Sequence, residues 1–202
     1  MNGVVLISGG GSNLQSIIDS AEKINLSIQC VVSNRPNVYG LERAAKADIS
    51  NCVLDHQLFE SREGFDQALM SVIDEHQPDI VILAGFMRIL TDEFINKYQG
   101  RMLNIHPSLL PKYPGLDTHQ KAIDANDTLH GASVHFVTKT LDGGPVIAQK
   151  EIKINPKESA ETLAAKVLKQ EHVLYPEVIH WYTQGRLKLL NETTATLDGQ
   201  VI

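Results

Sequence analysis

Val4-Val5-Leu6-Ile7-Ser8-Gly9-Gly10-Gly11-Ser12-Asn13-Leu14-Gln15-Ser16-Ile17-Ile18 sets the reading of the fold. Four apolar residues without a polar partner suit a strand buried on both faces. The glycines make a tight turn, and Leu14, Ile17, Ile18 and Ala21 recur at helical spacing. The same rhythm continues. Apolar runs lie at 28–32, 52–54, 80–83 and 102–105, and helical patterns carry Leu41, Ala44 and Ala45, then Phe65, Leu69, Val72 and Ile73. Strands alternating with amphipathic helices predict an α/β fold: a Rossmann-like, doubly wound, mostly parallel sheet with helices on both faces.

Past Asn104 the pattern changes. Pro107, Pro111 and Pro114 with Gly115 form a stiff loop that is neither helix nor central strand. Strands are expected over 132–137 and 146–154, joined through Leu141-Asp142-Gly143-Gly144-Pro145. A long helix is expected over 158–182, with Leu163, Val167, Leu174 and Ile179 inward and a kink at Pro176. The segment 188–202 reads as a short strand, a polar loop and a loosely attached end. With no repeat or linker, 1–202 reads as a single domain, with a nucleotide-substrate half about 1–100, a catalytic half about 101–188 and a tail 189–202.

The chain has 202 residues, 43% of them hydrophobic and 21% charged, enough for one packed core. A net charge of −6 argues against a general binder of nucleic acid or anionic membrane. Cys30 and Cys52 sit among apolar neighbours without a CxxC pattern, as buried free thiols of a reducing compartment would. With neither a basic leader nor an apolar run near the ~18 residues that span a bilayer, the expected location is cytoplasmic.

Three features carry chemistry. The turn 8–13 opens a helix, so its N–H groups can meet an anion, with Ser12 and Asn13 as added donors or caps. It breaks the dinucleotide fingerprint, since Leu14 stands where the third glycine belongs and no acidic residue follows the second strand at Ser33-Asn34. A single phosphate monoester fits it better than a nucleotide; a plain capped turn is the alternative. Asn104 and His106 are two apart at a strand's carboxyl edge, so both face one side. An amide beside an imidazole suits oxyanion stabilisation with proton transfer, whereas a lone histidine there can also be structural. Asp142 reads as ordinary Asp-Gly turn chemistry, unless it lies near His106, where a carboxylate would raise the imidazole pKa. No metal site is expected: HExxH and HxH are absent, and His130 and His135 face opposite sides of one strand.

Asn104-Ile105-His106-Pro107-Ser108-Leu109-Leu110-Pro111-Lys112-Tyr113-Pro114-Gly115 closely resembles the catalytic segment of the folate-dependent phosphoribosylglycinamide formyltransferases. The stretch 131–138, running on to Leu141-Asp142-Gly143-Gly144-Pro145, resembles that family's second signature, and 7–15 and 83–90 are also similar. The resemblance spans the chain and implies the formyltransferase fold, with 10-formyltetrahydrofolate as co-substrate and no metal. It implies a catalytic set of Asn104, His106 and Asp142. It implies substrate binding by Gly11, Ser12, Asn13, Lys169, Gln170 and Glu171. It implies a folate pocket from Arg62, Met87, Arg88, Ile89, Leu90, Asn104, Thr138, Lys139, Thr140, Leu141 and Asp142. The expected partners are small molecules only, in a monomer or weak homodimer. Bland readings stand beside these: Arg62 as a solvated helix-start charge, Met87 and Leu90 as core, Glu171 as an exposed helix residue. Two departures stand out: Lys139 and Thr140 occupy usually acidic positions, and Asp117 stands where some relatives have histidine.

Among rivals, a methionyl-tRNA formyltransferase would place Arg-Gly after the 108–111 segment and add a nucleic-acid-binding domain. A formyltetrahydrofolate hydrolase would add a regulatory domain. A non-catalytic binder would use the glycine turn but leave the Asn-x-His and Asp set without purpose.

Overall fold

The computed structural model describes all of residues 1–202. A seven-stranded sheet runs in the order β3-β2-β1-β4-β5-β6-β7. Its strands are β1 (Asn2–Ile7), β2 (Ser27–Ser33), β3 (Asn51–Val53), β4 (Ile80–Leu83), β5 (Met102–His106), β6 (Leu129–Phe136) and β7 (Val146–Lys153). The chain divides into two compact units, Met1–Leu103 and Asn104–Ile202.

In the first unit β1 pairs in parallel with β2 and β4, and β2 with β3. Val4, Val5, Leu6 and Ile7 are wholly buried, as are most of β2 and β4. Such strands need helices on both faces, which is why they lack polar alternation. The helices are α1 (Ser12–Ser20), α2 (Tyr39–Lys46), α3 (Arg62–Glu75) and α4 (Asp92–Lys97). Leu14 and Ile17 of α1 and Phe65, Leu69 and Ile73 of α3 are buried. Each such side chain contributes roughly 1.5–3 kcal/mol. Cys30 is buried, Cys52 partly exposed, and both are free. Strand order reverses between β1 and β4, so the crevice beyond their carboxyl ends is where ligands of open α/β sheets bind. Met87 N–H, after β4, donates to Ser8 Oγ, after β1, at 2.7 Å.

In the second unit β6 and β7 form an antiparallel hairpin. Between β5 and β6 lies α5 (Thr118–Asp124), and α6 (Ala160–Thr183) packs on the hairpin. Ser159 caps α6 by accepting Thr162 N–H at 3.3 Å. Leu163, Val167, Leu174 and Ile179 are buried as the periodicity requires, and the helix continues through the expected kink site at Pro176.

The C-terminal segment differs from the loose tail expected of it. It forms an antiparallel sheet of β8 (Leu187–Asn191), β9 (Thr194–Leu197) and β10 (Gln200–Val201). The cause is turn chemistry: Asp198 and Gly199 both take positive φ, which closes a two-residue hairpin. Arg186 forks onto Asp198, donating from Nε at 2.8 Å and Nη2 at 2.6 Å.

Candidate active site

β5 places Asn104 half-buried and His106 buried on the same side of the strand. The β6–β7 connection brings Asp142 to them. Asp142 takes φ 48°, a left-handed conformation that Asp tolerates better than most residues, and this aims its side chain inward. Gly144 follows in contact so close that an added Cβ would fall on the Phe136 carbonyl oxygen.

The Asp142 carboxylate is shared. Its Oδ2 accepts Gly115 N–H at 2.8 Å and lies 3.4 Å from His106 Nδ1. Its Oδ1 lies 3.6 Å from His135 Nε2. Each imidazole is oriented by a backbone carbonyl, which can only accept. His106 Nε2–H donates to Tyr113 C=O at 2.9 Å, and His135 Nδ1–H donates to Phe136 C=O at 2.8 Å. The remaining nitrogens, His106 Nδ1 and His135 Nε2, therefore face the carboxylate. Asn104 Nδ2 is 3.1 Å from His135 Nε2, so one amide hydrogen is held there and the other stays directed by that anchor.

The proline loop is fastened by its polar groups. Ser133 Oγ donates to Ser108 C=O at 2.6 Å and accepts Leu110 N–H at 3.0 Å. Thr118 Oγ1 donates to Pro107 C=O at 2.6 Å, and Tyr113 Oη donates to Asp127 at 2.7 Å. Each of these bonds holds the Tyr113 carbonyl and the Gly115 N–H where His106 and Asp142 meet them.

Electrostatics separate the two partners. Burial alone would push Asp142 up. The nearby His135 ring, the Gly115 N–H and His106 bring it below the usual carboxylate value instead. Burial dominates at His106 and lowers its pKa, against the raising influence of the Tyr113 carbonyl and Asp142. The carboxylate raises this imidazole as expected, but desolvation of the ring outweighs one partner at 3.4 Å and the net shift is downward. The resting pair is an ionised Asp142 beside a neutral His106. No cluster of three His, Cys, Asp or Glu side chains is placed to hold a metal ion.

The chain matches the formyl transferase family over residues 1–179. It is 53% identical over 202 residues to phosphoribosylglycinamide formyltransferase of Escherichia coli (strain K12), covering 99% of this chain and 95% of that protein. The chain belongs to the phosphoribosylglycinamide formyltransferase family. The corresponding formyltransferase of Haemophilus influenzae is 44% identical over 98% of this chain and 94% of its own length. The solved phosphoribosylglycinamide formyltransferase of Coxiella burnetii superposes with a TM-score of 0.95 at 48% identity, over 100% of this chain and 95% of that one. The seven-stranded, mostly parallel sheet is thus the formyltransferase fold.

Within this member of the family, the structure brings Asn104, His106 and Asp142 together. Gly11, in left-handed conformation, precedes α1, and Ser12 and Asn13 form its first turn. Arg62 opens α3 with its side chain 46% exposed, beside Glu63 at 3.8 Å. Met87 and Ile89 are exposed while Leu90 is buried, so the core reading holds for Leu90 and fails for Met87. The 87–90 segment is pinned at both ends: Met87 N–H by Ser8, and Thr91 N–H by buried Asp66 Oδ2 at 2.6 Å. In the second unit Thr138 is buried, Thr140 and Leu141 are exposed, and Lys139 lies 3.9 Å from Glu192. On α6 Lys169 is exposed, Gln170 half-buried and Glu171 buried, so Glu171 is no solvated helix residue.

Sequence reasoning missed His135. Its buried ring sits against both Asn104 and Asp142, yet its strand position reads as ordinary core. The available signal was its placement seven residues before Asp142 across a hairpin turn.

Proposed function

We propose that this enzyme transfers the formyl group of 10-formyltetrahydrofolate to the amine of 5'-phosphoribosylglycinamide, a step of purine biosynthesis. The products are formylglycinamide ribonucleotide and tetrahydrofolate. The observation that carries the residue assignment is the Asp142 carboxylate held between His106 and His135 beside the Asn104 amide.

The neutral glycinamide amine attacks the formyl carbon directly. A C–N bond forms, and the carbonyl pair moves onto the formyl oxygen. Asn104 offers its second amide hydrogen there, and His106 offers Nε2–H by exchanging the Tyr113 carbonyl for the oxyanion. Growing negative charge on that oxygen strengthens the Nε2–H donation of neutral His106, whose Nδ1 faces Asp142. The attacking nitrogen becomes cationic and loses its proton to ionised Asp142, directly or through water. Asp142 passes that proton, directly or through water, to folate N10; the formyl C=O re-forms, the C–N10 bond breaks with its electron pair going to N10, and tetrahydrofolate leaves. Each preorganised donor of this kind is worth about a hundred- to a thousandfold in rate.

The substrate phosphate meets the turn at Gly11, Ser12 and Asn13, and Lys169, Gln170 and Glu171 serve the ribose end. Folate contacts are assigned to Arg62, Met87, Arg88, Ile89 and Leu90 in the first unit and to residues 138–142 in the second. The proposed location is the cytoplasm; no helix is long and apolar enough to cross a membrane. A steady-state assay with both substrates tests the proposal. Formation of tetrahydrofolate and formylglycinamide ribonucleotide in equal amounts is expected; no turnover with well-folded protein would return the chain to a binding role.

A further inference from the structure

Helix α2 packs on the glycine turn that precedes α1, and two hydrogen bonds join them. Gly40 N–H donates to Gly9 C=O at 3.1 Å, and Arg43 Nε–H donates to Gly10 C=O at 2.9 Å. In a trans peptide unit the C=O of one residue and the N–H of the next point to opposite sides. Drawing the Gly9 and Gly10 carbonyls toward α2 therefore turns the N–H groups of Gly10 and Gly11 away from it. The third carbonyl, of Gly11, accepts Gln15 N–H at 2.9 Å as α1 begins. All three carbonyl oxygens of the turn are thus engaged. The N–H groups of Gly10, Gly11 and Ser12 are left as successive donors, an arrangement that attracts an anion.

The approach of α2 is specific to these residues. A Cβ on Gly11 would sit 2.7 Å from Gly40 Cα, and Gly11 also takes φ 68°. A Cβ on Gly40 would fall on the Ile7 side chain and lie 2.9 Å from Gly9 C=O. Arg43 is itself fixed, since Nη1 donates to Gln15 Oε1 at 3.0 Å and the guanidinium carbon lies 4.7 Å from the Tyr39 ring centroid.

We infer that Gly40 and Arg43 of α2 are positioning residues for the substrate phosphate, acting by holding the peptide planes of Gly9–Gly11 with their N–H groups turned outward. This rests on the reading above that the turn binds the phosphate of phosphoribosylglycinamide. Neither residue has to touch the phosphate.

The test compares Arg43→Met, which keeps the apolar stem without donors, with Arg43→Gln, which keeps an N–H donor without charge. Arg43→Met is expected to raise the KM for phosphoribosylglycinamide about tenfold, the loss of one hydrogen bond. The inhibition constant of inorganic phosphate should rise in the same proportion, while kcat and the KM for 10-formyltetrahydrofolate hold within about twofold. Arg43→Gln should recover most of the loss. An unchanged substrate KM in Arg43→Met overturns the inference. So does equal impairment of the Met and Gln variants, which would make charge the agent, or a common rise of both KM values with a lowered Tm. Asn13→Leu, assayed in parallel, separates the two claims. If it raises the KM and Arg43→Met does not, only the positioning role falls; if neither moves it, the phosphate reading falls as well.

Discussion

His106 Nδ1 lies 3.4 Å from Asp142 Oδ2, and the same carboxylate oxygen accepts the Gly115 N–H at 2.8 Å. The contact joins strand β5 to the β6–β7 connection. The acceptor is fixed by a backbone donor independently of the imidazole, so Asp142 stays in place whatever the charge of His106.

His135→Phe removes the ring nitrogen that Asn104 Nδ2 and Asp142 Oδ1 both face. The expected outcome is a fall in kcat of about tenfold, smaller than for loss of an oxyanion donor. Stability should fall by about 1–3 kcal/mol, because polar atoms buried at this site lose a partner. Steady-state kinetics and denaturant unfolding check both; unchanged kcat would remove His135 from the catalytic account.

Gly144→Ala would drive a methyl group into the Phe136 carbonyl oxygen, which is backbone and cannot swing aside, with Thr138 Cγ2 crowding it at 3.0 Å. About 2–4 kcal/mol of stability should be lost by strain of this kind. Because the shift moves the loop that carries Asp142, kcat should fall as well. Urea unfolding together with turnover at saturating substrates measures it.

Acid should destabilise the fold through its buried imidazoles. Burial and neighbouring His119 lower His130 to about 4, and His119 and His106 are lowered as well, mainly by burial. The unfolded chain takes up these protons as pH falls through about 6.5, while the folded chain still excludes them. Stability is therefore complete above about pH 6.5 and is lost between that value and about 4, where His130 is protonated in the fold too. For His130 alone the loss amounts to roughly 3 kcal/mol. Tm measured from pH 7.5 to 4.5 should drop, and His130→Gln should flatten the slope.

Sequence legibility followed the range of the interactions. The buried strands, the amphipathic helices α1, α3 and α6, and the pairing of Asn104 with His106 are short-range patterns, and all appear as read. The approach of Asp142 needed the family resemblance, since nothing local says which cleft an Asp-Gly turn faces. α4 and α5, six and seven residues long, are too short to show a helical period. His135 and the direction of the His106 shift were out of reach because both depend on burial and on neighbours across the hairpin. The β9–β10 turn was written in Asp198-Gly199, but its strands are too short and polar to stand out.

A double-mutant cycle in kcat on His106→Ala and Asp142→Asn, with phosphoribosylglycinamide binding followed separately, tests the central claim most directly. Each single variant should lose about a hundred- to a thousandfold. The double variant should lose little more than the worse single one, because the two side chains act as a unit. Substrate binding should hold in all three. Near-normal turnover in either single variant, or losses that simply multiply in the double, would contradict the account.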